Sequence, residues 1–243
     1  MNKLANIRIV LCQTSHPGNI GSAARAMKTM GLSRLYLVRP KEFPHPNSYA
    51  MASGATDVLE SIVVCDTLEQ ALTGCGFVIG LSARKRELSH VPVTPRDAAE
   101  EVLEIAAEQE VALVFGNETN GLSNEELIRC QRLAHIPANP EYSSLNLAAA
   151  VQVMAYELRM KNEETPQPKA GREKYATHDE TEGFYQHLEQ TLVDIGYLDV
   201  AQPKRLMSRL RRLFARTRLH EEEINILRGI LKSVQKNNSR TNR

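Results

Sequence analysis

The stretch NIGSAARAMKTMG at 19–31 follows His16-Pro17-Gly18, reads as an amphipathic helix and ends at a glycine. Arg25 is the only charge between Gly18 and Lys28, set among small apolar residues. A long cation leaving such a helix either snorkels to solvent or reaches for an anion. Three further stretches carry polar groups at spacings that suit a bound ligand. They are GLSAR at 80–84, FGNETNGLSNEEL at 115–127 and IPANPEYSSLNLA at 136–148. Each is rich in small or hydroxyl residues and short of the charges a phosphate needs. Such loops suit a ligand held by backbone amides and hydroxyls between apolar walls, here Leu81, Ile136 and Leu145. Taken singly, each also reads as a plain strand-to-helix turn, with Ser143 or Ser144 as an N-cap in the last.

Two phosphate-binding signatures fail on their details. FGNETNGLS offers the glycine spacing of a P-loop but has Leu122 and Ser123 where a lysine must follow, so it cannot neutralise a nucleoside triphosphate. GCGFVIG precedes a strand-like run instead of following one, the reverse of a dinucleotide fingerprint. Cys12, Cys65, Cys75 and Cys130 are scattered, with no CxxC pair, and the seven histidines show no HExxH spacing. Core thiols in a reducing cytosol are therefore expected, with no disulfide and no metal site. The longest apolar runs are short, such as VALVF at 111–115, and MNKLANIRIVLC has no signal-peptide pattern, so no membrane span and a cytoplasmic location are expected.

These residues need a frame. Runs rich in Val, Ile and Leu recur at 7–12, 34–38, 61–65, 77–83, 111–116 and 133–138. Several are continuous, as strands buried on both faces are. Helical patterns lie between them near 20–30, 47–53, 67–73, 95–109, 123–131 and 143–161. The alternation predicts an α/β domain over 1–162, a parallel sheet flanked by helices on both sides. Residues 163–177, with prolines, a glycine and mostly polar side chains, read as a linker. Helical patterns at 178–195, 203–216 and 221–236 predict a small all-helical extension over 178–243.

HPGNIGSAARAMKTMG, LVFGNETNGLSNEEL and IPANPEYSSLNLAAAVQVMAYEL, in that order, resemble the three motifs of the SpoU/TrmH-type RNA 2′-O-ribose methyltransferases of the SPOUT superfamily. The resemblance is strong over 6–160 and looser in the tail. It implies a C-terminal trefoil knot, S-adenosylmethionine bound in the knot, and a homodimer whose active site is shared between subunits. The members it is most similar to methylate cytidine or uridine at position 32 of tRNA. Carried onto this chain, the cofactor residues are Leu81, Ser82, Ala83, Gly116, Ile136, Ser143, Ser144 and Leu145. Leu81 stands where a small hydroxyl residue is expected, which removes a side-chain hydrogen bond and leaves backbone contacts. The catalytic set becomes Arg25, Glu118, Ser144 and Asn146.

Arg25 matches the family's functional arginine. A guanidinium with a pKa above ~12 is a poor base. A clamp on the phosphate beside the target ribose fits its chemistry better, with that phosphate or a water taking the proton. Glu118 is the nearest carboxylate, and its position after Gly116 equally suits tying a loop. Asn19 either caps its helix or serves catalysis, and Ser144 and Asn146 could orient Arg25 or the phosphate. Tyr142 suits stacking on a splayed nucleotide and equally a subunit interface. Arg84 is a candidate for a further phosphate contact. Two other readings stand beside the enzyme: a catalytically silent RNA-binding module, and a small-molecule enzyme using another nucleotide.

Charge is uneven along the chain. Residues 1–160 hold fourteen Lys/Arg against seventeen Asp/Glu, whereas 161–243 hold sixteen against twelve. KRLMSRLRRLFARTR at 204–218 has seven basic residues and no acidic one. Arg205, Arg209, Arg212 and Arg216 recur every three or four positions and are expected to form one tRNA-binding face, with Leu206, Leu210, Leu213 and Phe214 packed inward. Leu147, Ala148, Val151, Met154, Ala155 and Leu158 give the 145–159 helix more than one apolar face, which places them deep in the core or at a dimer interface.

Overall fold

The structure, a computed structural model, describes residues 3–82, 92–163, 174–202 and 204–241. Six strands form one parallel sheet: β1 (Ile7–Cys12), β2 (Arg34–Val38), β3 (Val63–Cys65), β4 (Cys75–Leu81), β5 (Glu110–Phe115) and β6 (Arg132–Ala134), in the order β3-β2-β1-β5-β4-β6. All residues of β1 and β4 are buried, which is why their sequences run apolar without alternation. The short edge strand β3 instead leaves Val63 and Val64 exposed.

Around the sheet lie α1 (Pro17–Thr29), α2 (Pro46–Ala52), α3 (Thr56–Glu60), α4 (Leu68–Leu72), α5 (Pro95–Ile105), α6 (Asn124–Ile128) and α7 (Leu147–Glu163). Prolines in the first turn start α1, α2 and α5, where the missing N–H costs nothing. Reciprocal capping boxes start α4, Thr67 with Gln70, and α6, Ser123 with Glu126. On one sheet face Val10, Cys12, Val78, Ala112 and Val114 pack with Leu68 and Leu72 of α4 and Leu127 of α6. On α1, α2 and α7 both lie alongside, and α5 packs on α7. A Cβ on Gly21 would overlap the Ser48 carbonyl oxygen, so the α1–α2 contact requires glycine there.

Two expectations change, and one helix is added. The last helix of this unit starts at Leu147, not near 143, because the Asn146 side chain accepts from the N–H groups of Ala148 (2.9 Å) and Ala149 (3.4 Å). Ser143 and Ser144 stay in the loop before it. The helix expected over 95–109 stops at Ile105, where Ala106, Glu108 and Gln109 turn into β5. The one-turn α3 shows no period in sequence because five residues do not complete two turns.

Leu147, Ala148, Val151, Met154, Ala155 and Leu158 are all buried within their own chain, so they belong to the core. The apolar residues that α7 leaves exposed are Tyr156 and Met160.

The chain divides into two compact units, Met1–Pro168 and Lys169–Arg243. Most of the expected linker lies outside the described residues. Its end does not: Tyr175 pairs with His220, and Ala176 N–H donates to Leu219 O (2.9 Å). The second unit holds α8 (His178–Asp194), α9 (Leu206–Thr217) and α10 (Glu221–Thr241). Its core joins Phe184, Tyr185 and Leu188 of α8 to Met207, Leu210 and Phe214 of α9 and Ile224 of α10. The Phe184 and Phe214 rings meet edge to face at 4.9 Å. Among the described residues, no helix is long and apolar enough to cross a membrane.

Candidate active site

Open parallel sheets bind ligands beyond the carboxyl ends of their strands. Here a cavity of about 220 Å³ opens at the ends of β4, β5 and β6, which contribute Leu81, Phe115 and Ala134. Ser82 and Gly116 line it from two loops, and Ile136, Ser143, Ser144 and Leu145 from the third. Every described cofactor candidate therefore meets in one space. Ala83 and Arg84 lie outside the described residues. The wall mixes apolar side chains such as Leu81, Ile136 and Leu145 with hydroxyls, the amides of Asn117 and Asn120 and one carboxylate, Glu118.

Gly116 decides the shape of the central loop. A Cβ there would overlap the carbonyl carbon of Gly121 and the nitrogen of Leu122. The loop folds back on itself, with Gly121 N–H donating to Asn117 O (2.8 Å) and Gly121 at φ +67°. Only glycine allows so close an approach.

Two polar residues of the wall, Glu118 and Asn117, tie the motifs together. Glu118 accepts from the backbone N–H of Ser15 (2.9 Å) and of His16 (3.3 Å), and from Asn19 Nδ2 (2.8 Å). The Asn19 oxygen accepts from Asn146 Nδ2 (3.0 Å), and Asn146 caps α7. One chain of contacts thus joins the start of α1, the loop after β5 and the start of α7. Partial burial would raise the Glu118 pKa, but the Asn19 amide and the surrounding backbone N–H groups outweigh it and hold the carboxyl below its ordinary value. Asn117, not singled out in sequence, adds a second tie by donating to Gln13 O (2.7 Å) and Ser15 Oγ (2.8 Å). Its signal was only its place after Gly116, since both partners are about a hundred residues away.

Arg25 is exposed on α1, and its guanidinium has no hydrogen bond or ion pair among the described residues. It is not part of the cavity wall. Ser144 lines the cavity, and its hydroxyl has no hydrogen-bond partner among the described residues. Tyr142 is 79% exposed on the turn before it.

The helical unit carries a second surface. At about 100° per residue, Met207, Leu210, Arg211 and Phe214 share the inward side of α9, and Arg205, Arg209, Arg212 and Arg216 cluster opposite. Arg205, Arg209 and Arg216 are exposed, Arg212 is half-buried, and none of the four has an ion-pair partner among the described residues. Arg211, the basic residue on the inner side, is bonded to Glu182 and stacked 4.4 Å over the Tyr185 ring. The expectation for Leu213 is corrected: it is 45% exposed, because its direction falls beside the packed stripe.

The model of the SpoU rRNA Methylase family matches residues 6–156, which contain every tie and every cavity residue described above. The chain belongs to the SpoU methylase family. A second model, the C-terminal domain of the tRNA methyltransferase TrmJ, matches residues 179–243. A Pseudomonas aeruginosa relative named tRNA (cytidine/uridine/adenosine-2′-O-)-methyltransferase TrmJ is 54% identical over 96% of this chain and 95% of its own. One from Pectobacterium atrosepticum, named tRNA (cytidine/uridine-2′-O-)-methyltransferase TrmJ, is 52% identical over 96% and 98%. The crystal structure of TrmJ from Z. mobilis ZM4 superposes with a TM-score of 0.82 at 34% identity, covering 94% of this chain and 98% of that one. Relatives of this SpoU methylase therefore match both units in one continuous span.

Proposed function

We propose that this protein methylates the ribose 2′-oxygen of cytidine or uridine at position 32 of tRNA, using S-adenosylmethionine. The observation that carries the reading is the convergence of three loops on one cavity, tied to the helix that bears an unpaired Arg25. S-adenosylmethionine supplies an electrophilic methyl on sulfur. Leu81, Ile136 and Leu145 would flank its apolar parts, while the Ser82, Gly116 and Ser143–Leu145 loops offer backbone and hydroxyl groups. Arg25 binds the phosphate beside the target ribose, aligns the 2′-oxygen and stabilises its developing negative charge. The phosphate or a water takes the proton. Glu118 positions Asn19 and the loop around it; a carboxylate committed to three donors is a poor acceptor for a further proton.

Absence of Arg25 from the cavity wall supports an active site completed by a second subunit, in a homodimer. For the trefoil knot, the support lies at β6. Ala134 O accepts from Ser82 N–H (3.1 Å), while Leu133 O accepts from Val93 N–H and His135 N–H donates back to Val93 O (both 2.9 Å). Segments on either side of residues 83–91 thus clasp one strand. The helical unit attracts tRNA through its arginine face, which the net-negative first 160 residues do not offer.

The test is incubation of unmodified total tRNA with the protein and S-adenosylmethionine, followed by mass-spectrometric mapping of ribose methylation. Methyl groups at pyrimidine 32 are expected, and adenosine 32 reads the breadth that the Pseudomonas relative's name implies for that protein. Binding without methylation would leave the silent RNA-binding module.

A further inference from the structure

The second unit contains a recess of about 490 Å³ where the turn after α8 meets the start of α9. Its wall includes Tyr197, Asp199, Lys204, Arg205 and Arg209. Tyr197 is 69% exposed, and the N–H groups of Tyr197 and Leu198 both donate to Leu192 O (2.9 and 3.0 Å), so the turn that presents the ring is fixed. Lys204 stands at φ +50°, a left-handed conformation that is unfavourable for a side chain of its kind. Lys204, Arg205 and Arg209 are exposed and have no side-chain partner among the described residues. The one acid of the recess, Asp199, accepts from Ala201 N–H (2.8 Å). Among the described residues, three cations without a partner therefore surround an uncovered aromatic ring with one carboxylate between them.

We infer that this recess takes a single unstacked nucleotide of the tRNA, its base stacked on Tyr197 and its phosphate held by Lys204, Arg205 and Arg209. The inference rests on the tRNA reading above and deepens it. Arg205 and Arg209 belong at once to the recess and to the face that continues through Arg212 and Arg216, so the occupant is a polyanion that runs on along α9. An exposed aromatic beside a cation track is how proteins hold single-stranded RNA, because every base has a face to stack. Asp199 suits an exocyclic amine or a ribose hydroxyl.

The chain has no tryptophan, so Tyr197→Trp in the full-length protein installs a unique fluorophore. Its emission is expected to be quenched by unmodified tRNA and not by heparin, a polyanion without bases. Tyr197→Phe is expected to keep tRNA affinity. Tyr197→Ala should lose about 5- to 100-fold with an unchanged salt slope, since stacking releases no counterions. Unchanged emission with bound tRNA, equal quenching by heparin, or wild-type affinity in Tyr197→Ala overturns the subsite. A separate arm, Arg212→Gln with Arg216→Gln, probes the arginine face outside the recess. Reduced affinity and a flatter salt dependence there, with a silent fluorophore, leave the face standing and remove the subsite. No effect in either arm removes the tRNA role of the unit as well.

Discussion

Arg25 leaves α1 with no partner among the described residues, so removing it costs the fold little, and on the proposed reading it costs the chemistry everything a phosphate clamp supplies. Arg25→Ala is expected to shift stability by no more than about 0.5 kcal/mol, as exposed unpaired sites do. Its methyl transfer is expected to fall by about 100-fold or more, the scale of one lost preorganised donor to developing charge. Arg25→Lys should recover little, because an ammonium cannot fork onto a phosphate. Thermal unfolding and single-turnover methylation check the two halves. Glu118 makes a different prediction. Its folded pKa is lowered by its donors, so the tie contributes stability above the ordinary value of 4.5 and loses it as pH falls through the lower folded value. Near neutrality it is ionised throughout. Glu118→Gln is expected to slow transfer while leaving the shape of the pH–rate profile between pH 6 and 9 unchanged. Loss of an ionisation from that profile in the variant would make Glu118 the base.

At the level of elements, the turn back after β5 is the feature on which the cavity depends. Gly116→Ala forces a methyl into the Gly121–Leu122 backbone and is expected to cost about 1–3 kcal/mol, as overpacking does, together with most S-adenosylmethionine affinity. Denaturant unfolding and calorimetric titration measure both. The sheet was legible because β1, β4 and β5 are buried on nearly every residue and so write unbroken apolar runs. Helix starts were legible where proline or a capping box marks them, and not at α7, whose cap is an asparagine that also reaches Asn19. The three loops that line the cavity could be read from their glycines and hydroxyls. The ties could not: Glu118 lies ninety-nine positions from Asn19, and Asn146 a further stretch beyond, so no local pattern reports that they meet. Tyr197 was silent for another reason, since one aromatic at a helix end has no period.

Over the whole molecule, the account requires two subunits per working site. Co-expressed Arg25→Ala and Gly116→Ala chains, each impaired alone, are expected to recover about a quarter of wild-type activity, because random pairing makes half the dimers mixed and restores one of their two sites. Additive residual activity in the mixture would place Arg25 and the cavity of one subunit in the same site. The central claim, though, is the atom that receives the methyl, and one substrate tests it directly. Transfer of labelled methyl is measured to a tRNA whose nucleotide 32 carries a 2′-deoxyribose, beside the same tRNA with ribose there. The account predicts full incorporation with ribose and none with deoxyribose, while both bind equally; comparable incorporation into the deoxy substrate would contradict it.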